Sequence, residues 1–277
     1  MLARRSCLSV PGSSQSMLAK APELGADEVV LDLEDSVAPE AKQEARSLVA
    51  GALDGAPAAV RINGLASAWW RDDVDAVGGL AGSLVVPKVE GPEDLERVAR
   101  RLDALGEPAG GTRLQALIET ARGLQHVGEI AAASARLDTL ILGYLDLAAS
   151  LGRPLRQDEP GRWLHAQETL LVAARASGRQ AIDGPHLAVD DEAGLLRAAE
   201  HARALGYDGK WAIHPAQVPV LNSTFSPRPE ELERAQAVLD ALAEAEAGVL
   251  EAEGQMLDEA SRKHALGVLA RGTAGSE

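Results

Sequence analysis

The sequence predicts an α/β chain folded as a (β/α)8 TIM barrel with a C-terminal helical extension. Two observations carry this. Short β-branched or apolar runs recur eight times, each followed by a turn and a segment of helical period rich in Ala, Leu, Glu and Arg. Strands alternating with helices of ten or more residues imply a parallel sheet, and eight such units suit a closed barrel better than an open one. No Gly-x-Gly-x-x-Gly follows the first run, which counts against a dinucleotide-binding doubly wound sheet as the rival.

The eight strands are expected at residues 8–10, 28–33, 58–62, 83–88, 114–119, 139–143, 180–183 and 210–214. Helical period marks, among others, 92–105, 162–177 and 192–205. After the last strand, Pro227 and Pro229 precede a helix from 230 to about 247, then a glycine-punctuated tail with a further helix over about 259–270. The expected division is therefore a barrel over 1–225 and, over 226–277, a helix with a lid or oligomerisation arm.

Aromatic residues make up only 3% of the chain, so the core must be built from Ala, Val, Leu and Ile. A net charge of −15 argues against a nonspecific grip on nucleic acid, which needs Lys and Arg against phosphates. No apolar run reaches the roughly 20 residues of a membrane span, and the apolar stretch behind Arg4 and Arg5 stops at Pro11, too short for a signal-peptide core. One cysteine, Cys7, allows no intrachain disulfide. The expected compartment is the cytoplasm.

Polar residues gather at the expected strand ends, which form the active-site face of a parallel barrel. They include Asp32, Glu34, Asp35, Arg61, Asn63, Lys88, Glu119, Asp146, Asp183 and His214. Acids converging on one mouth repel each other, and a cation is the usual remedy. With oxygen ligands dominant and no cysteine among them, Mg2+ or Mn2+ suits the set better than Zn2+. Glu119 and Asp146, expected on adjacent strands, would leave a divalent ion neutral with sites open to substrate. Otherwise each carboxylate merely caps the helix behind it.

Arg61 ends a buried run and needs a partner, either a substrate carboxylate or Asp32 or Glu34. Alternation sends Asp32 and Glu34 to one side, where at least one orients Arg61 or a metal-bound water. Glu34 joins Arg61 and Glu119 in the expected substrate-binding set. Lys88 as a Schiff-base lysine would make the enzyme metal-independent and leave the carboxylate pair unexplained. His214 is expected to be packed and hydrogen-bonded rather than a base.

In order along the chain stand Ser9-Val-Pro-Gly, Val30-Leu-Asp-Leu-Glu-Asp-Ser-Val-Ala-Pro with Lys42 and Arg46 beyond, Val60-Arg-Ile-Asn, Val86-Pro-Lys-Val-Glu, Leu117-Ile-Glu-Thr-Ala-Arg-Gly, Gly143-Tyr-Leu-Asp-Leu, Ala181-Ile-Asp-Gly and Gly209-Lys-Trp-Ala-Ile-His-Pro. Together they resemble the citrate lyase beta-subunit (CitE-like) branch of the HpcH/HpaI aldolase family, from about residue 6 to 258. The resemblance implies a (β/α)8 barrel, Mg2+ on Glu119 and Asp146, and a substrate carboxylate on Arg61. It also implies a homotrimer in which a tail Asp completes the neighbour's site, and Gly254-Gln-Met-Leu-Asp258 fits that tail. Leu145 departs from the Glu often found before the metal-binding Asp. The tail also lacks the family's usual aromatics and following Pro.

The activity so implied is Mg2+-dependent cleavage or formation of a 3-hydroxy-3-carboxy acyl thioester, such as a citryl, citramalyl or malyl thioester. The products are a 2-oxo acid such as oxaloacetate and an acetyl thioester on coenzyme A or acyl carrier protein. Asp258 and Arg61 are the expected catalytic residues. Lys20, Lys42 and Arg46 either meet CoA phosphates or are solvated helix charges. The alternatives are an aldolase on free 4-hydroxy-2-oxo acids and a non-catalytic organising subunit of a lyase complex.

Overall fold

The computed structural model describes residues 3–53, 58–106, 111–154, 160–244, 250–252 and 255–274. Eight parallel strands close into a barrel in sequence order. They are β1 (Ser6–Pro11), β2 (Glu28–Asp32), β3 (Ala59–Arg61), β4 (Ser83–Val86), β5 (Arg113–Ile118), β6 (Leu137–Leu142), β7 (Gln180–Asp183) and β8 (Gly209–Ala212). Ser6, Cys7 and Leu8 pair with Lys210, Trp211 and Ala212 to shut the seam.

The helices between and after them are α1 (Gln15–Lys20), α2 (Lys42–Ala52), α3 (Trp70–Val77), α4 (Pro92–Ala104), α5 (Ala121–Gln125), α6 (Val127–Ala132), α7 (Tyr144–Ser150), α8 (Leu164–Ala176), α9 (Glu192–Leu205) and α10 (Gln217–Phe225). The sequence-based positions hold to within a few residues. β4 stops at Val86 and β8 at Ala212, each two residues short of the expected ends at Lys88 and His214.

Period-2 alternation sorts the strands into layers. Cys7, Val30, Ala59, Val85, Leu117, Ile141, Ile182 and Trp211, one from each strand, form a buried apolar layer. Trp211 is the one large ring in that layer. Towards the amino ends lies a polar layer. Arg4 pairs with Glu28 at 2.9 Å and reaches Thr139 at 2.8 Å. Gln115 donates to Glu28 at 2.9 Å and to Ser83 at 2.7 Å. Strands β2 and β5 are not neighbours, so these bonds cross the interior and close the barrel floor.

A third network lies where Asp183 and Lys210 meet α7 and α8. Lys210 and Asp183 are 2% and 1% exposed and form an ion pair. Tyr144 and Gln167 also donate to Asp183, and the Gln167 amide donates to the Tyr144 hydroxyl at 2.9 Å. Tyr144 opens α7, so the pair anchors that helix to β7 and β8.

Two compact units comprise Arg4–Asn222 and, together with Ala3, the described residues from Ser223 onward; the sequence-based boundary falls three residues later. The second unit contains α11 (Pro229–Glu244), an antiparallel hairpin of β9 (Leu250–Ala252) and β10 (Gln255–Leu257), and α12 (Glu259–Ala274). The hairpin had no signature in the sequence beyond its glycines. No described helix is long and apolar enough to cross a membrane.

Breaking a buried ion pair leaves a bare charge and costs about 3–5 kcal/mol. Lys210→Met should therefore lower the urea midpoint accordingly, whereas Lys210→Met/Asp183→Asn should recover much of the loss. Unfolding curves of both variants test this, and a loss under about 1 kcal/mol for Lys210→Met would show the pair to be dispensable.

Candidate active site

The carboxyl end of the barrel gathers its acids around two cations. Asp32, the last residue of β2, is fully buried. It accepts from Arg61 Nε and Nη2, both at 2.7 Å, and from the backbone N–H groups of Glu34 at 2.9 Å and Ser36 at 3.1 Å. Burial alone would raise its pKa, but the Arg61 hydrogen bonds and charge override that and hold it below the ordinary range. Four donors saturate Asp32, so it orients Arg61 and has no oxygen to offer a ligand.

Arg61 thus has its two-pronged edge engaged by Asp32, while Nη1 lies 3.3 Å from Glu34 Oε2. Both partners foreseen from the sequence, Asp32 and Glu34, are present. Only the Nη1 side remains to meet a substrate carboxylate.

Glu34 is buried and its Oε2 has no hydrogen bond despite the Arg61 contact. Burial pushes its pKa up. Its Oε1 accepts from Lys88 Nζ at 2.8 Å. The same ammonium lies 3.5 Å from Asp146 Oδ2 and 3.7 Å from Asp35 Oδ2.

Glu119 follows directly on β5 and is buried. Oε1 accepts from the Lys88 backbone N–H at 2.9 Å; Oε2 has no hydrogen bond among the described residues. Gly143 makes room for it, since a Cβ there would lie 2.6 Å from both Glu119 Cβ and Oε2. Burial first, then the charges of Glu34 and Asp146, push the Glu119 carboxyl up to about 8. It does not cap the following helix: Thr120 does, its hydroxyl accepting from Gly123 N–H at 3.0 Å.

Asp146 stands one turn further from the sheet than its expected strand end, in the first turn of α7 after β6 has stopped at Leu142. A helix N-terminus favours a carboxylate there, and its side chain is 39% exposed.

These donors fit a divalent ion held by few ligands. Among the described residues Glu119 and Glu34 each have a carboxylate oxygen without a hydrogen bond, and burial beside Glu34 and Asp146 disfavours the Glu119 charge unless a further cation is supplied. No group of three or more His, Cys, Asp or Glu forms a ready-made metal cage among the described residues. A site offering only one or two carboxylates is the arrangement Mg2+ takes when substrate and water complete its shell.

Other sequence-based expectations fare differently. The Lys88 pKa is raised by its hydrogen bond and charge contacts with Glu34 and by Glu119, against the opposing effect of burial. A firmly protonated amine is a poor Schiff-base nucleophile. Lys42 and Arg46 do not await phosphates. Lys42 Nζ donates to Leu33 O at 2.7 Å and Glu34 O at 2.6 Å, pinning the acidic loop, and Arg46 is buried against Asp73 at 3.0 Å. Lys20 is exposed. His214 is exposed rather than packed, its Nδ1 accepting from Ala216 N–H at 3.2 Å.

Asp258 precedes α12 and caps it. Its Oδ1 accepts from Ala260 N–H at 2.9 Å and Ser261 N–H at 3.0 Å, and the Ser261 backbone bond leads in lowering its pKa. Gly254 of the same motif lies outside the described residues.

Acids, a fork-bound arginine and open carboxylate oxygens at the carboxyl end of a parallel barrel define a barrel enzyme of the metal-assisted kind. The profile of the HpcH/HpaI aldolase/citrate lyase family matches residues 5–215, and the chain belongs to that family. It is 39% identical over 266 residues to the (3S)-malyl-CoA thioesterase of Cereibacter sphaeroides, covering 92% of this chain and 89% of that one. An L-malyl-CoA/beta-methylmalyl-CoA lyase of the same species is 34% identical over 92% of this chain and 90% of that one. The citrate lyase subunit beta of Escherichia coli is 38% identical over 92% and 88%. Among solved structures, CitE of Mycobacterium tuberculosis in complex with magnesium, acetoacetate and coenzyme A superposes with a TM-score of 0.83, at 34% identity and 98% coverage of both chains.

The Glu119 shift makes a prediction for the metal-free protein. In the folded protein it is pushed up to about 8, well above the ordinary carboxyl value of 4.5. The folded state therefore binds the extra proton between those values, and stability present below pH 4.5 is lost as pH rises through 8. Glu119→Gln should flatten the fall of Tm over that window, measured by thermal denaturation in chelator. A slope identical to wild type would show that Glu119 titrates normally.

Proposed function

We propose that this chain is a Mg2+-dependent carbon–carbon lyase. It cleaves, or in reverse forms, a 3-hydroxy-3-carboxy acyl thioester of the malyl, citramalyl or citryl type. The observation that carries this is the surplus of buried carboxylate at the mouth, set beside an arginine already oriented by Asp32. The magnesium and CoA in the CitE complex, and the lyases among the relatives, support it.

Glu119 and Asp146 would hold the ion. Bound there, Mg2+ supplies Lewis acidity that lowers the pKa of the substrate hydroxyl, an effect worth several kcal/mol. Arg61 meets the substrate carboxylate through its Nη1 side, and Asp32 prevents the guanidinium from turning away. Glu34 stands between Arg61 and Lys88 and keeps both near the substrate carboxylate. Loss of the hydroxyl proton breaks the bond to the thioester's α-carbon. A 2-oxo acid leaves, and the enolate of the acetyl thioester takes up a proton. Asp258 is the proposed proton carrier at that carbon, working in a neighbouring subunit of a trimer. Its Oδ1 is engaged in capping, which leaves Oδ2 for this role. Coenzyme A or acyl carrier protein would carry the thioester, in the cytoplasm.

A second reading is favoured by the thioesterase at 39% identity: the same substrate clasp could serve hydrolysis of the thioester. Products separate the two. With malyl-CoA and Mg2+, the lyase reading expects glyoxylate and acetyl-CoA in equal amounts. Malate and free CoA in their place would establish hydrolysis. Activity with free 4-hydroxy-2-oxo acids alone would establish an aldolase, and no metal-dependent turnover by the isolated chain would leave an organising role. Glu119→Gln and Asp146→Asn should each lose most Mg2+ affinity by calorimetry and most turnover while staying folded; unchanged affinity in both would sink the metal assignment.

Catalysis in trans makes its own prediction. Asp258→Asn should bind Mg2+ and 2-oxo acid normally and fail to turn over. Mixed with Arg61→Ala under conditions of subunit exchange, it should regain activity, because some sites then combine both wild-type residues. Mass spectrometry verifies the hetero-oligomers. Verified exchange without recovered acetyl thioester release rejects a role in trans.

A further inference from the structure

Lys88 is a mouth residue to which the proposed reaction assigns no bond-making or proton-transfer step. It sits just beyond β4, and it is the one non-glycine residue with positive φ, 52°, among those described. The left-handed region disfavours a long side chain and is tolerated best by Gly, then Asn and Asp. That conformation has a consequence on each side of the residue. The backbone N–H points at Glu119 Oε1, 2.9 Å away. The ammonium points at Glu34, Asp146 and Asp35, at 2.8, 3.5 and 3.7 Å. One residue therefore touches both proposed metal ligands, the first with its amide and the second with its charge.

The side chain is 38% exposed, so water is within reach of the ammonium. The three carboxylates hold it at the mouth. Only Glu34 is at full hydrogen-bond distance; the contacts with Asp146 and Asp35 are looser ion pairs. A divalent ion on Asp146 would bring two positive centres to one carboxylate, and like charges at that range repel even where water screens them.

We propose that Lys88 is a tethered counter-ion for the metal site. In the metal-free protein its ammonium partly neutralises Asp146 and Glu34, and it gives up Asp146 when the divalent ion arrives, retaining Glu34. Metal and ammonium thus compete for Asp146. The competition lowers the protein's affinity for the ion and keeps the acids together while the ion is away. This rests on the reading that Glu119 and Asp146 hold the ion.

The test uses Mg2+ alone, with no substrate. Lys88→Met removes the charge at similar length. Lys88→Asn removes it too and suits the left-handed backbone better, so it protects the fold. Lys88→Arg keeps the charge. By calorimetry, both neutral variants should bind Mg2+ roughly tenfold tighter than wild type, and the arginine variant within about threefold of it. In chelator the neutral variants should melt below wild type, and saturating Mg2+ should raise their Tm by more than it raises that of wild type. If the folded neutral variants bind Mg2+ no tighter than wild type, competition is overturned, and Lys88 serves only to aim Glu119. If wild type takes up no Mg2+ at all, the metal reading itself falls and this inference falls with it.

Discussion

The constraint on which the site depends is the burial of acids at one end of a closed barrel. Asp32, Glu34 and Glu119 are each nearly inaccessible to water, and isolated buried carboxylates are prohibitively costly. Each is tolerated by a different device. Asp32 is saturated by four donors. Glu34 shares Arg61 and Lys88. Glu119 has one backbone amide and stands beside two other acids, so it is the least compensated of the three. That graded neutralisation agrees with the roles proposed for them: the satisfied acid would orient, the shared acid would bridge, and the least compensated acid would be left to take a cation.

The rest of the barrel holds this arrangement still. The amino-end layer of Arg4, Glu28 and Gln115 ties non-neighbouring strands together beneath the apolar layer. The Asp183–Lys210 pair fastens Tyr144, two residues before Asp146, to β7 and β8. Lys42 clamps the loop carrying Glu34 through two carbonyls. A small displacement of any of these would move a carboxylate by a distance that matters to a metal shell, because interiors packed at crystal-like density pass strain on rather than absorb it.

Much of this was legible in the sequence, for identifiable reasons. Strand 28–32 ends on Asp32 and strand 113–118 is followed directly by Glu119, and an acid at the end of an apolar run signals the functional mouth. Arg61 was recognisable as needing a partner because an arginine ending a buried run must have one. What stayed hidden depended on direction rather than composition. Nothing in Lys42 or Arg46 distinguishes a solvated helix charge from one turned inward onto a carbonyl or Asp73. Asp146 read as a strand end because β6 and α7 are joined by a single glycine, Gly143, with no polar turn to mark where one stops. The central position of Lys88 follows from a positive φ that its sequence neighbours, Pro87 and Val89, do not announce.

The relatives divide between a lyase and a thioesterase acting on malyl-CoA, and the geometry explains how one clasp can serve both. Either reaction needs the hydroxy acid end of the substrate immobilised, and Arg61, Glu119 and Asp146 address that end alone. In the proposed site they grip the carboxylate and hydroxyl, one methylene removed from the thioester carbonyl. The outcome therefore turns on what stands over the far end: a group able to exchange a proton with carbon, or a water directed at the carbonyl. In this chain the group proposed for that place is Asp258, a carboxylate presented by a hairpin and a helix cap outside the barrel unit. On that proposal the proton carrier and the substrate clasp would come from separate units of the sequence. Changes in the tail would then redirect the reaction without disturbing the buried acids.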